Sequence, residues 1–309
     1  MSSKILHLKG LNGLRTIAAL AVVVFHLTES LKDFNLNPHI FGVSYDGGAK
    51  VDLAGFGVTI FFSLSGFLIT YLLLLEKEKT DVSIKKFYIR RALRIWPLYY
   101  LYLIVAIAFA LIAEMTYDKS TLLYYVFFTA NIPHIINDTP SYRGFFTFPP
   151  FVGHYWSLGV EEQFYIFWPL IIKFLKRNHF LIVGCITTIL LFLKLYVRFL
   201  IPDGDLSLAY SFFNTNRFVC MMIGALGAIL FFNKQATFLA IFNNKIAQFI
   251  AWVALFFVAI NRFHIASVLD HEIISLVTVT LIIGQVTIKN RLISLENGIF
   301  DFLGKISYG

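Results

Sequence analysis

Apolar residues along the chain gather into long runs, separated by short stretches that carry most of the charge, and no repeat unit of roughly 20–50 residues recurs. A helix needs about 20 mostly apolar residues to cross a hydrocarbon core of ~30 Å. Eight runs of that order are predicted as spans: Leu14–Leu31, Val51–Leu75, Ile95–Ala113, Tyr155–Leu175, Phe180–Ile201, Phe218–Phe232, Ile246–Ile260 and Ile273–Ile288. Thr121–Ile136 is apolar but short, runs into Asn131-Ile132-Pro133-His134, and is followed by a Pro- and Phe-rich stretch to Pro150. Residues 121–153 therefore read as an extracytoplasmic or re-entrant element. Phe300–Gly309 reads as the beginning of a further helix. The predicted fold class is all-α: a polytopic transmembrane bundle of eight complete spans and the start of a ninth, forming one domain over 1–309 that lacks its last one or two helices.

Composition agrees with that pattern. Of 309 residues, 58% are hydrophobic and only 14% charged, against about 25% charged in soluble domains. The net charge of +8 could suggest a nucleic-acid partner, but the cations sit between the apolar runs, as in membrane proteins whose cytoplasmic loops carry the Lys and Arg excess. Lys77, Lys79, Lys85, Lys86, Arg90, Arg91 and Arg94 crowd between the second and third spans, which predicts that this segment is cytoplasmic, together with the N-terminus bearing Lys4 and Lys9. Lys173, Lys176, Arg177, Lys234, Lys245, Lys289 and Arg291 then fall inside, and Asp203, Asp205, Asp270 and Glu272 outside. The expected location is the plasma (inner) membrane, with the chain crossing it several times and no nucleic-acid partner. Cys185 and Cys220 lie inside apolar stretches without metal-ligand spacing and read as packing residues.

Ionisable residues within a span cost several kcal/mol unless they face a cavity or a partner, so each is a candidate for function. The first span carries Arg15 and His26, eleven residues apart. At 100° per residue that is three turns plus about 20°, so both project from one face, roughly 16 Å apart along the axis. They would line a single polar path, although Arg15 alone also suits an interfacial anchor and His26 a satisfied histidine near Glu29. Arg91 and Arg94, if helical, are i,i+3 neighbours, a spacing that suits a polyphosphate held by planar guanidinium groups; topogenic charge or headgroup contact is the alternative. His154-Tyr155-Trp156-Ser157-Leu158-Gly159-Val160-Glu161-Glu162-Gln163-Phe164-Tyr165 opens the fourth span with more polar groups than a helix start requires. Its carboxylates could orient an imidazolium, or simply cap an outward-facing helix end. Ser65, in Phe61-Phe62-Ser63-Leu64-Ser65-Gly66-Phe67, reads more readily as close helix packing than as chemistry. Arg217, beside Asn214 and Asn216, suits a substrate pocket and a headgroup anchor equally. No HExxH, P-loop, GxSxG or paired CxxC motif occurs, and no metal site is expected.

In this order the segments resemble the acyltransferase-3 family of integral-membrane O-acyltransferases. The resemblance rests on Gly13-Leu14-Arg15 followed by His26, Phe61-Phe62-x-x-Ser65-Gly66-Phe67, Arg91-x-x-Arg94 before Pro97, Trp156-Ser157-Leu158-x-x-Glu161-x-Gln163-Phe164-Tyr165, and Leu303-Gly304-Lys305-Ile306-Ser307-Tyr308. It implies a bundle of about ten helices that moves an acyl group, usually acetyl, from cytoplasmic acyl-CoA to a hydroxyl of an extracytoplasmic carbohydrate or lipid-linked glycan. Carried onto this chain, Arg91 and Arg94, with Arg15, would bind acyl-CoA (acetyl-CoA) as co-substrate. His26 would act as general base or take the acyl group itself, Glu161 would orient it, and Trp156, Ser157, Ser65 and Arg217 would shape the substrate pocket. The rival reading is a transporter or flippase using the same buried Arg and His as a relay, but the inverted repeats common in transporters are not evident here.

Overall fold

The computed structural model describes residues 8, 10–36, 53–175 and 179–307. Lys4, Lys9, Lys176 and Arg177, expected to mark the cytoplasmic side, lie outside the described residues, as do Val51, Tyr308 and Gly309. Among the described residues all regular structure is helical. The α-helices are α1 (Leu11–Ser30), α2 (Leu53–Lys79), α3 (Ile84–Ile112), α4 (Thr121–Val126), α5 (Asn131–Asp138), α6 (Tyr155–Phe174), α7 (His179–Leu200), α8 (Leu208–Asn216), α9 (Phe218–Phe232), α10 (Ala236–Phe242), α11 (Lys245–Ala259), α12 (Asp270–Thr287) and α13 (Gly298–Ile306).

Five helical stretches are long and apolar enough to cross a bilayer: α1, α2, α3, α7 and the α8–α9 stretch Leu208–Phe232. The pair α10 and α11, bent by 52° at a short break, adds a sixth if it is one span. The 20-residue α6, with Glu161, Glu162 and Lys173, and the 18-residue α12, opening on Asp270 and Glu272, are not among them. Length and apolarity alone thus do not give the eight predicted spans. Segment 121–153 contains two short α-helices, α4 of six residues and α5 of eight, neither long enough to cross. Phe128 turns the chain between them at φ 56°.

The third helix begins well before its predicted start at Ile95. Ser83 caps it by accepting a hydrogen bond from the Lys86 amide at 3.4 Å, so Arg90, Arg91 and Arg94 sit on the helix and not in a linker. Its buried residues, Phe87, Ile95, Tyr99, Leu103, Ala106 and Ala110, form one stripe at helical spacing, while Leu101, Ile104, Val105, Phe109 and Ile112 are exposed. A helix apolar on both its packed and its exposed side is what a lipid solvent selects.

The chain divides into two compact units, residues 1–71 with 220–308, and residues 72–219. In the first unit, Leu14, Ala18, Phe56, Ile60, Leu64 and Phe67 pack in one core with Ile274, Val279 and Ile282. Helices α2 and α9 cross at backbone contact: a Cβ on Gly66 would collide with the Met221 carbonyl, and one on Gly224 with the Ser63 carbonyl. At its far end α13 docks on α1, where Thr16 Oγ1 donates to the Phe300 carbonyl at 3.0 Å and a Cβ on Gly304 would strike the Asn12 carbonyl.

The loop leading into α12 is organised by one buried carboxylate. Asp270 accepts the Ile265 and Ala266 amides at 2.9 and 3.0 Å and pairs with His264 Nδ1 at 2.7 Å. Asp270→Ala leaves two backbone donors and an imidazole without their acceptor, and each unmet buried group costs about 1–3 kcal/mol. The expected result is a loss of about 3 kcal/mol or more, read as a lowered thermal midpoint in detergent, with Asp270→Asn intermediate.

In the second unit α3 and α6 run antiparallel. Tyr155 Oη donates to the Tyr99 carbonyl at 2.7 Å, Tyr88 Oη to the Ile166 carbonyl at 2.5 Å, and Lys173 Nζ to the carbonyl of Val82, just before α3, at 3.1 Å, so that each step along this stretch matches a step back along α6. Lys173 also pairs with Asp81 at 2.9 Å, which holds that carboxyl below the usual range. Lys77 Nζ donates to the Ile172 and Leu175 carbonyls at 2.6 Å each, closing the C-terminal end of α6.

Candidate functional site

Arg15, His26 and Ser65 belong to the first unit, and Arg91, Arg94, Trp156, Ser157, Glu161 and Arg217 to the second. In the first unit α1 is continuous through both ionisable positions, so the predicted one-face relation of Arg15 and His26 holds as helix geometry. Arg15 Nη1 donates to Asn12 Oδ1 at 2.9 Å, and Asn12 Nδ2 in turn donates to Asp301 Oδ1 at 3.1 Å. A guanidinium is therefore set by an amide that a carboxylate on α13 holds in place. Asn12 and Asp301 are 289 residues apart. His26 is exposed, beside exposed Val23 and Leu27, and its ring meets Phe25 edge-on at 5.5 Å. Ser65 is buried within α2, one residue before the glycine that lets α9 approach.

In the second unit the predicted residues fall into two groups. Arg91 lies 5.2 Å from the Tyr165 ring and 5.7 Å from the Phe87 ring, a guanidinium beside two aromatic side chains in edge contact, while Arg94 one turn on is exposed. The charge cluster is also braced from α2, since Arg90 Nη2 pairs with Glu76 Oε2 at 3.0 Å.

The other group surrounds the start of α6, where α5 and α8 converge on it. Trp156 stacks on His134 with ring centroids 5.2 Å apart and planes within 2°. Arg217 Cζ lies 5.6 Å from the Trp156 ring. Arg217 occupies the left-handed region at φ 47°, ends α8, and folds its Nε back onto the Asn214 carbonyl at 2.9 Å. A cation there complements the negative end of the helix. The same three helices are tied by amides: Asn131 Nδ2 donates to Asn216 Oδ1 at 2.8 Å, and Gln163 Nε2 donates to Asn131 Oδ1 at 2.7 Å and to the Phe128 carbonyl at 3.2 Å. Gly159 permits this packing, since a Cβ there would come within 2.8 Å of the Phe128 carbonyl. Glu161 is buried at 8% exposure. Ser157 Oγ donates to the His154 carbonyl at 3.0 Å, a local bond of the helix start.

His134 and Asp138 were not predicted as site residues. His134 Nε2 stands 3.3 Å from Asp138 Oδ2, which Thr215 Oγ1 also approaches at 3.4 Å. Burial and the Arg217 guanidinium push the His134 imidazole below its ordinary value, and Asp138 opposes them only in part. The ring is therefore neutral near pH 7 and can donate or accept a hydrogen bond. His134 follows Asn131 by one turn, so both reach the same face of α5. That i,i+3 pair was legible in the chain; its partners on α6 and α8 were not.

Glu162 is a further carboxylate that the motif alone did not single out. Trp96 hydrogen-bonds it, and its Oε1 is buried without a hydrogen-bond partner. Among the described residues no three His, Cys, Asp or Glu side chains come together as a metal-binding group.

Comparison with known proteins bears on what such groups do. The sequence profile of the acyltransferase-3 family, described as an acyltransferase domain, matches residues 8–309. A protein of Staphylococcus aureus strain COL, named as a candidate O-acetyltransferase, is 29% identical over 324 residues, covering 99% of this chain and 50% of its own length. The peptidoglycan O-acetyltransferase OatA of Listeria monocytogenes (strain EGD-e) is 29% identical over 74% of this chain and 35% of its own length. The O-acetyltransferase OatA of Staphylococcus aureus (strain NCTC 8325) is 29% identical over 72% and 35%. The chain thus spans half or less of the length of these relatives. No solved structure matches it. With apolar helices of membrane length and the family's profile running through nearly all of it, the chain is a multi-pass membrane protein that belongs to the acyltransferase-3 family.

Proposed function

We propose that the chain transfers an acyl group, acetyl in the simplest case, from cytoplasmic acyl-CoA to a hydroxyl of an extracytoplasmic carbohydrate or glycolipid. The observation that carries this reading is the family match over residues 8–309, joined to relatives named for O-acetyl transfer, one of them to peptidoglycan. This reading takes α6, α11 and α12 as spans beside the five apolar stretches, eight in all, and puts the N-terminus in the cytoplasm.

Arg91 and Arg94 hold the phosphates of CoA; Arg15, whose guanidinium is already oriented by Asn12, is the third residue proposed for the donor. The stacking of Arg91 against Tyr165 and Phe87 supports that role, because a fixed planar guanidinium loses less freedom when it pairs with phosphate. His26 takes the proton of the acceptor hydroxyl as its oxygen attacks the thioester carbonyl. The C–S bond breaks, and the proton goes to the departing CoA thiolate. In the ping-pong variant the imidazole nitrogen attacks first and the acceptor oxygen then displaces it. Glu161 is the second proposed catalytic group; Trp156, Ser157 and Arg217 are proposed to shape the substrate pocket, and Ser65 is a further candidate for substrate contact. Alcoholysis of a thioester is downhill, so the protein need supply only positioning and a base.

The test separates donor binding from chemistry. Arg91→Ala and Arg94→Ala each remove a charge-assisted contact worth about 1.5–3 kcal/mol, which corresponds to a KM for acyl-CoA raised about 10- to 100-fold, with kcat little changed. Lysine at either position recovers part of the loss, since it keeps the charge and loses the fork. An unchanged KM in both alanine variants would remove the phosphate-binding role.

A further inference from the structure

Of the side chains that the proposed function leaves unused, His134, Asp138 and Asn216, beside the pocket candidates Trp156 and Arg217 where α5, α6 and α8 meet, carry the most unmatched chemistry. His134 presents its ring flat on Trp156 at 5.2 Å, and its Nε2 is directed to Asp138 Oδ2 at 3.3 Å, which leaves Nδ1 to meet a ligand. On α8, the Asn216 side chain accepts at Oδ1 from Asn131, the residue one turn before His134; it is 1% exposed and its Nδ2 has no hydrogen-bond partner. A buried donor left unmet costs about 1–3 kcal/mol, so the site gains when an oxygen arrives there. Arg217 adds a cation beside the same indole. Imidazole nitrogen, amide N–H and guanidinium around an aromatic ring are groups suited to the several oxygens of a neutral sugar.

We propose that His134, oriented by Asp138 and seated on Trp156, binds the carbohydrate acceptor and sets the specificity for it. This rests on the acyl-transfer reading for its biological role, but the binding itself does not. The packing alternative, in which His134 only supports Trp156, is separable, because phenylalanine retains a flat ring and lacks the nitrogens. Asparagine removes the ring and keeps a polar atom close to the position of Nδ1.

The experiment uses the protein in lipid nanodiscs, with soluble glycan strands released from peptidoglycan as the probe. Binding is measured without acyl-CoA, and acyl transfer is measured separately. His134→Phe is expected to weaken glycan binding at least tenfold and to raise the acceptor KM equally, with the KM for acyl-CoA unchanged. His134→Asn recovers part of both. Equal glycan binding by wild type and folded His134→Phe overturns the proposal, as does wild-type protein that binds no glycan. Wild type that binds glycan through His134 but transfers no acyl group leaves this inference standing and sinks the acyl-transfer reading. Transfer that proceeds with glycan binding indifferent to His134 does the reverse.

Discussion

His26→Ala is expected to lower acyl transfer by about 10²–10⁴, the range a positioned general base contributes, and to abolish it if the imidazole carries the acyl group itself. The substitution is well isolated from folding. His26 lies on an exposed face of α1, its recorded ring contact is the edge of the adjacent Phe25, and exposed substitutions of this kind cost within about 0.5 kcal/mol. Membrane insertion, elution from size exclusion and thermal midpoint should therefore match wild type, so that any loss of rate belongs to the chemistry. His26→Gln, which keeps a hydrogen bond but cannot take a proton near pH 7, should be as inactive as alanine. A variant that retained wild-type transfer would transfer the base role to another group.

Gly66→Val is expected to do the opposite and remove the folded protein. The Cβ of any residue at this position meets the Met221 carbonyl, with the Met221 carbonyl carbon at 2.7 Å, and the facing Gly224 meets Ser63 in the same way. These are backbone atoms, so no side chain can rotate aside, and α2 and α9 must separate. Overpacking costs about 1–3 kcal/mol, and here it also opens the ring contacts that Phe67 and Tyr71 of α2 make with Phe231 of α9. Gly66→Ala should already lower the thermal midpoint, and Gly66→Val should leave little monodisperse protein after detergent extraction. A Gly66→Val protein with wild-type yield and midpoint would show that the helices do not cross so closely.

That crossing shows how far the chain could be read. The small residues of Phe61–Phe67 were legible as packing because helices in lipid associate through close backbone approach. The start of α3 was not: seven cations look like a linker, yet helical cations can point away from the packed stripe, and the buried Phe87 with the Ser83 cap extends the helix to Ile84. Helix α8 escaped notice because Arg217, at a positive φ that a sequence does not announce, separates it from α9. His134 was visible only as the polar end of an apolar run. What makes it a candidate is Trp156, Arg217 and Thr215, brought near by folding and not by spacing. The same holds for Arg15, whose partner Asn12 is local but whose anchor Asp301 lies at the other end of the sequence.

Membranes from cells producing the protein or its His26→Ala variant, given acyl-labelled acetyl-CoA, allow the most direct measurement. The label should appear as an alkali-labile ester on envelope glycan in wild-type membranes, with release of CoA thiol, and should be absent from the variant. Equal labelling of the glycan in both, or none in either while both proteins are present and folded, would contradict the account.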